Sequence, residues 1–424
     1  MQEHPQRVAL HNEIHARPPE AMAAPLCIAH VVMACNAEQR AQSRSHIAAL
    51  AREHHQAPPD DTSIHARIDF GLFKLRWELH TEFVTWTFLC PLHTDPFAER
   101  DLRSAVDVVP RDWLSRLPGQ CLTRLHLWVL PAGSVEPELV VRRVLSDESM
   151  VASTVADGFG EIYTDFKIHS DGYSRMVLLV GSLTQRRLGR LVQGLLEIET
   201  YRMAALLGLP AARDASAVLA SAEMELAALA QSIRSATRND EPELLDRLTR
   251  LAGQVESQHA ATHSRFSASA AYFELVDKRI NDIAESRLVG MQTIREFMDR
   301  RLTPARSTCE WSSRRQDALS QRVSRISNLL RTRVEIEQQQ SSQALLAAMN
   351  SRQGMQLQLQ STVEGLSVAA ITYYIVGLVS YLVKGAQHIG WPWGPEVTAA
   401  ATIPVIAATV WWSLRRLHAR IFKH

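Results

Sequence analysis

The chain has 424 residues, with 46 lysines and arginines against 45 acids and a formal net charge of +1. That balance argues against a nucleic-acid partner, which needs a basic excess to displace counterions. Five cysteines, odd in number and without a CxxC pair, exclude a disulfide framework and a cysteine-based zinc site, and fit a reducing compartment.

In chain order, residues 1–182 read as an α+β cytoplasmic domain, a mostly antiparallel sheet with helices. The first stretch, MQEHPQRVALHNEIHARPPE, is charged and lacks the apolar core of a secretory signal. Leu26–Met33 is an apolar run behind Pro25, a strand; Ala37–Gln56 has helical spacing. From Phe73 to Phe88 the residues alternate. Phe73, Leu75, Trp77, Leu79 and Phe83 are apolar, while Lys74, Arg76, Glu78, His80 and Glu82 are charged or titratable. One long strand with one face on a core and one toward water or a ligand is the expectation. Leu122–Leu130, Met150–Val155, Glu161–Ile168 and Ser174–Gly181 follow as strands, separated by Pro131, Gly158, Gly160 and Gly172.

From Thr184 the pattern turns helical. Residues 183–242 give connecting helices, one with the stripe Leu188, Leu191, Val192, Leu195 and Leu196, the next from Ala212 to Ala236. Residues 243–362 read as a long-helix stalk. Its first half runs from Glu243 to Leu302, and its second starts at Thr303-Pro304, a good N-cap and first-turn pair. With no further proline before Pro392, that second helix is expected to continue into the next segment as a rod of about 120 Å, with Gly354 and Gly365 its weak points. So long a helix needs a partner helix or other copies of the chain to cover it.

Residues 363–414 predict two transmembrane helices. Nineteen uncharged residues separate Glu364 from Lys384, and eighteen separate Glu396 from Arg415. At a helical rise these cover about 27–29 Å, close to the hydrocarbon core. Trp391 and Trp393 mark one edge of the hairpin, Trp411 and Trp412 the other. Arg415, Arg416, Arg420 and Lys423 make residues 415–424 a basic tail, whereas the connecting loop has only Lys384. The positive-inside bias therefore predicts both termini in the cytoplasm. Only five of the 46 bases are lysine, and such arginine richness suits a GC-rich bacterial genome, hence a bacterial inner membrane.

Several constellations can carry chemistry. In HNEIHAR, His11, Glu13 and His15 can share one face of an extended arm, or His11 and His15 one face of a helix turn. In WELHTEF, Glu78, His80 and Glu82 would project from one face of a strand about 7 Å apart, a geometry for a divalent metal ion or a held proton. Arm and strand together would supply four to six ligands. Arg186, Arg187 and Arg190 open a helix against its dipole, which an anion or acidic partner would relieve. Nine arginines between Arg300 and Arg333 face only Glu310 and Asp317, and with Trp311 the lone aromatic an acidic partner helix fits better than nucleic acid. In the first span, Ser367, Ala370, Tyr374, Gly377, Tyr381 and Lys384 form a small or polar stripe suited to self-association. There is no P-loop, GxGxxG, GxSxG elbow or CxxC.

The strings HNEIHARPP, DFGLFKLRWELHTEF, GRLVQGLLEIETYRMAALLGLP and VEGLSVAAITYYIVGLVSYL resemble a bacterial family of membrane-anchored proteins of unknown function, over nearly the whole length. That resemblance implies the hairpin anchor and no known reaction. The layout is also similar to CorA-type metal-ion transporters, although their Gly-Met-Asn signature is replaced by Tyr381-Leu-Val-Lys384. The expectation is a non-enzymatic, homo-oligomeric membrane protein with a cytoplasmic sensing domain and CorA-like ion transport as a further option. The alternative is a membrane-tethered enzyme or small-ligand or metal-binding receptor.

Overall fold

The computed structural model describes residues 3–8, 11, 19–92, 103–134, 136–237, 239–387 and 394–421. The chain divides into two compact units, Met1–Ser327 and Asn328–His424. It is a mixed α/β protein with an N-terminal sheet, one very long helix and a C-terminal helix.

The first unit is built on one sheet of nine strands among the described residues. These are β1 (Leu26–Ala34), β2 (His65–Asp69), β3 (Lys74–Leu79), β4 (Phe83–Pro91), β5 (Gln120–Pro131), β6 (Val151–Val155), β7 (Gly160–Thr164), β8 (Ser174–Val180) and β9 (Ser286–Arg287). Their order is β2-β3-β4-β1-β5-β8-β7-β6-β9. All pairs are antiparallel except β5 with β8.

Two layers of helix cover the sheet. On one face lie α1 (Ala37–Glu53), α2 (Arg111–Ser115) and α3 (Pro137–Val144), over a core that includes Ala29, Val31, Leu75, Trp77, Trp86 and Trp128. α1 starts at Asn36, whose side chain accepts from the backbone of Gln39 while Gln39 bonds back, a capping box. On the other face lie α4 (Gln185–Leu206) and the last turns of α6 (Glu241–Asp282), which pack Leu191, Leu195, Phe273 and Ile280 on Ile28, Leu127 and Met176. The segment before β1 crosses α4 closely. Met22 N–H donates to Gln185 O at 3.0 Å, and a Cβ at Gly189 would overlap the Glu20 carbonyl. Only glycine admits that crossing.

α5 (Gly208–Ser235), α6 and the start of α8 (Thr303–Gln387) form a helical bundle. Their buried positions step by three and four: Ala212, Ala215, Leu219, Ala222, Leu226 and Leu229 on α5; Ala305, Cys309, Ser312, Gln316, Leu319 and Val323 on α8. That 3.5-residue period is the coiled-coil seam. One layer is polar, with Thr262 of α6 hydrogen-bonded to Gln316 at 2.9 Å. Arg315 holds Glu223 of α5 through two bonds of 2.8 and 2.5 Å, and Arg306 holds Asp277 of α6. Two of the nine arginines near residue 315 thus meet acids on partner helices.

Two expectations are corrected. Phe73–Phe88 is a hairpin: β3 ends at Leu79, His80 N–H donates to Phe83 O at 2.9 Å, and β4 returns. Leu79 pairs with Val84, so side-chain parity inverts across the turn, and Phe83 joins the α4 face instead of continuing the stripe of Leu75 and Trp77. Nor is the even face open, since Arg76 and Glu78 are buried. The helix from Glu243 does not reach Leu302 either. α6 stops at Asp282, Ala284 adopts φ +46°, and Ser286–Arg287 joins the sheet edge beside β6. α7 (Ile294–Arg301) then starts afresh at the Thr293–Glu296 capping box, and the Glu285 carboxylate accepts from Ile294 N–H (3.0 Å) and Arg295 N–H (2.8 Å).

In the second unit, the remainder of α8 passes through Gly354 and Gly365 without a break to Gln387, and α9 spans Pro395–Ile421. Three helical stretches are long and apolar enough to cross a membrane by length and composition, Gln185–Ser235, Ile294–Ala386 and Pro395–Arg416. In the first, α4 packs its apolar stripe on the sheet and α5 packs into the helical bundle. The other two leave theirs uncovered: Leu366, Tyr374, Leu378, Leu382, Val405 and Trp412 are all exposed.

Candidate functional site

The hairpin scatters the predicted strand triad. Glu78 is buried beside Arg76, which donates to it at 2.8 Å. Glu82 lies in the turn, ion-paired with Arg265 of α6 and accepting from Tyr272 Oη at 3.2 Å. His80 stacks on Phe83, with ring centroids 4.5 Å apart. Both carboxylates are thus neutralised by guanidiniums. The expected single face for Glu78, His80 and Glu82 does not form, because the strand turns back between them. His11 is exposed, and Glu13 and His15 lie outside the described residues. Among the described residues no three His, Cys, Asp or Glu side chains gather as a metal shell.

What the turn does form is one wall of a cleft of about 660 Å³, where the two helical layers approach around the end of the sheet. α1 contributes Arg40 and Arg44, the turn His80 and Thr81, α4 Tyr201, and α6 Tyr272. Arg40 Nη1 reaches the His80 carbonyl at 3.5 Å and Arg44 Nε donates to Ser63 O at 3.1 Å. Tyr201 and Tyr272 stack 5.9 Å apart. Burial, and then the Glu82 charge, push the Tyr272 hydroxyl pKa up, so it stays a neutral donor to Glu82.

Behind the cleft runs a buried polar row across the α4 face of the sheet. Arg76, Thr87 and His30 are register neighbours on β3, β4 and β1. His30 Nδ1 lies 2.8 Å from Thr87 Oγ1 and Nε2 lies 2.9 Å from Thr200 Oγ1 of α4. Thr200 gives its own proton to Leu196 O (2.9 Å), so it accepts from Nε2–H, and Nδ1 accepts from Thr87. Burial, reinforced by Arg76 and His80, lowers the His30 pKa to about 3. Next to Thr200 in α4, fully buried Glu199 accepts from Thr123 Oγ1 at 2.8 Å and from Nε and Nη2 of Arg202 at 2.7 and 2.8 Å. Sequence reading passed over His30 because it sits in an apolar run, LCIAHVVMA. A lone titratable residue on an apolar strand was the available signal.

The arginines that open α4 meet acid in part. Arg187 reaches Asp157 at 2.5 Å and Ala156 O at 3.3 Å from the β6–β7 turn and lies over the Phe159 ring; Arg186 and Arg190 are exposed. A second cavity there, about 350 Å³, is balanced in charge: Arg187, Arg190 and Arg279 against Asp157, Glu197 and Asp282. On the stripe of the predicted first span, Ser367 bonds back to Val363 O at 2.8 Å, Tyr374 and Tyr381 are exposed, Lys384 lies over the Tyr381 ring, and among the described residues nothing lies within 4 Å of a Cβ at Gly377. Ala370 is exposed beside them.

Neither a curated protein nor a solved structure matches this chain. One family model covers residues 2–421, that is, both the sheet unit with its cleft and the apolar helices beyond it. On that match the chain belongs to the family described as "Protein of unknown function (DUF3422)".

Proposed function

We propose that this is an integral membrane protein in which residues from about Gly365 of α8, together with α9, cross a bacterial inner membrane as a hairpin. The sheet unit then acts in the cytoplasm as a non-enzymatic ligand-sensing domain. The observation that carries the reading is the uncovered apolar surface of both helices. Leu366, Leu378, Leu382, Val405 and Trp412 are each more than half exposed. Leaving such side chains in water forgoes roughly 1.5–3 kcal/mol each, which lipid would recover. The hydroxyls support it. Ser367, Ser380, Thr402 and Thr409 donate to their own helix, at Val363, Val376, Thr398 and Val405 carbonyls, as an apolar medium requires. Arg415 and Arg416 lie over Trp411 and Trp412, a pairing suited to a membrane interface.

Topology is tested with single cysteines in a background freed of the native five. Cysteine at Gly394 should react with an impermeant maleimide from outside the membrane, and cysteine at His424 should not. The opposite labelling, or extraction of the protein from membranes by carbonate, would sink the reading.

The stripe through Ala370 and Gly377 supports association of several copies within the bilayer. Gly377→Leu should then lower the native mass in mild detergent while the sheet unit keeps its melting temperature. A wild-type monomer under those conditions would refute association and remove the ground for CorA-like transport.

A further inference from the structure

We infer that the cleft between α1, the β3–β4 turn, α4 and α6 binds a small anion of the phosphate-monoester class, seated on Arg40 and Arg44. This rests on the cleft alone and stands whether or not the C-terminal helices cross a bilayer. It specifies what the proposed sensing domain would sense.

The first argument is charge. Among the described residues the lining of the cleft contains two guanidiniums and no carboxylate. The nearest acid in the turn, Glu82, is already engaged by Arg265 and Tyr272. Among the described residues neither Arg40 nor Arg44 meets an acid, although both are half-buried. This sets the cleft apart from the cavity at the start of α4, where three arginines face three acids. A partly desolvated, uncompensated pair of cations favours an anion.

The second argument is geometry. Residues four apart on a helix stand about 5–6 Å apart at Cβ, so the two forks converge on one ligand group. Each arginine is steered by a single backbone carbonyl, His80 O for Arg40 and Ser63 O for Arg44, which leaves most of its five N–H donors for a ligand. Tetrahedral phosphate, with several acceptor oxygens and a double charge, matches two such forks better than one carboxylate does. Beside His80 and Thr81 of the turn, Leu79, Phe83, Tyr201, Tyr272 and Leu275 give the wall apolar and aromatic surface, and about 660 Å³ leaves room for an organic group beside the phosphate. The site beneath is built to stay in place: His30 is clamped between Thr87 and Thr200, and Glu199 is neutralised by Arg202.

The test uses the full chain in detergent micelles. Isothermal titration is run with phenyl phosphate, with inorganic phosphate, and with dioctanoyl phosphatidic acid as the lipid form of the same headgroup. Saturable binding of phenyl phosphate is expected, weakened about tenfold or more in Arg40→Gln/Arg44→Gln, a change of roughly 1.4 kcal/mol or greater. It should be unchanged in Arg186→Gln/Arg190→Gln, exposed arginines at the start of α4 that do not line the cleft. The Arg40→Lys/Arg44→Lys variant guards against misfolding: it keeps charge, loses the forks, and should bind with intermediate strength. Binding of the phosphatidic acid alone, equally lost in the double Gln variant, supports the same chemistry and assigns its source to lipid. Absence of saturable binding of all three probes up to roughly 10 mM, or binding indifferent to Arg40 and Arg44, would overturn the inference.

Discussion

His30 offers a direct test of how the sheet unit is held together. It is almost wholly buried, fixed as the neutral Nε2–H tautomer by Thr87 and Thr200, and its pKa is lowered to about 3. In the unfolded chain the imidazole returns to 6.5. A histidine depressed in the fold binds a proton less readily there than when unfolded. The stability tied to its neutral form is therefore complete above 6.5 and is lost as pH falls through the interval down to about 3. Between pH 7 and pH 5 the unfolded state gains most of a proton while folded His30 gains almost none, which costs about 2 kcal/mol. At some 2 °C per kcal/mol for a large domain, that is roughly 4 °C of melting temperature. The assay is near-ultraviolet circular dichroism of the full chain in detergent, reporting on buried Trp77, Trp86 and Trp128, at the two pH values. His126, held near 4 by burial, and His46, also lowered by burial, add to the wild-type pH effect. They do so equally in His30→Gln, so the difference between the two proteins isolates His30. The variant should be about 1–3 kcal/mol less stable at pH 7, from the lost bonds to Thr87 and Thr200, yet lose about 2 kcal/mol less on acidification. Equal pH slopes for wild type and variant would show that His30 is hydrated and freely titrating, and would refute the reasoning.

The polar layer of the helical bundle gives a second test. Thr262→Val or Gln316→Leu alone leaves a buried partner unsatisfied and should cost about 1–3 kcal/mol, while the pair together should be close to neutral, measured as a double-mutant cycle by thermal melting. Strict additivity would mean that the two groups do not depend on each other. Gly189→Ala places a methyl group where the Glu20 carbonyl lies and should cost about 1–3 kcal/mol, with faster proteolysis between residues 19 and 25. Unchanged cleavage there would show that the crossing is looser than described.

Local chemistry was legible wherever neighbours in sequence decide the outcome. The apolar run before Cys35, the helical spacing from Ala37, the Thr184 and Thr303-Pro304 starts, and the two uncharged stretches near the end all gave elements close to those observed. β1, β5, β6 and β8 were read from apolar runs bounded by proline and glycine, and the continuous α8 from the lack of any proline between Pro304 and Pro392, which leaves the helix nothing to break it. What failed depends on distant partners. Over Phe73–Phe88 the apolar positions shift from odd (Phe73, Leu75, Trp77, Leu79) to even (Val84, Trp86, Phe88), a change of phase that one strand cannot hold on a single face and that the pairing of Leu79 with Val84 and of β4 with β1 turns into a hairpin. The predicted long helix stops at Asp282, and α7 starts on a local capping box, Thr293 with Glu296, to which Glu285 adds bonds from Ile294 and Arg295 N–H that form only once the chain has turned. The cleft lies further still from sequence. Arg40, His80, Tyr201 and Tyr272 belong to four separate elements, and their convergence is set by which faces of the sheet those elements cover. Composition could say that the charges balance overall; the fold decided that Glu78 and Glu82 would be spent on Arg76 and Arg265, leaving Arg40 and Arg44 without an acid among the described residues.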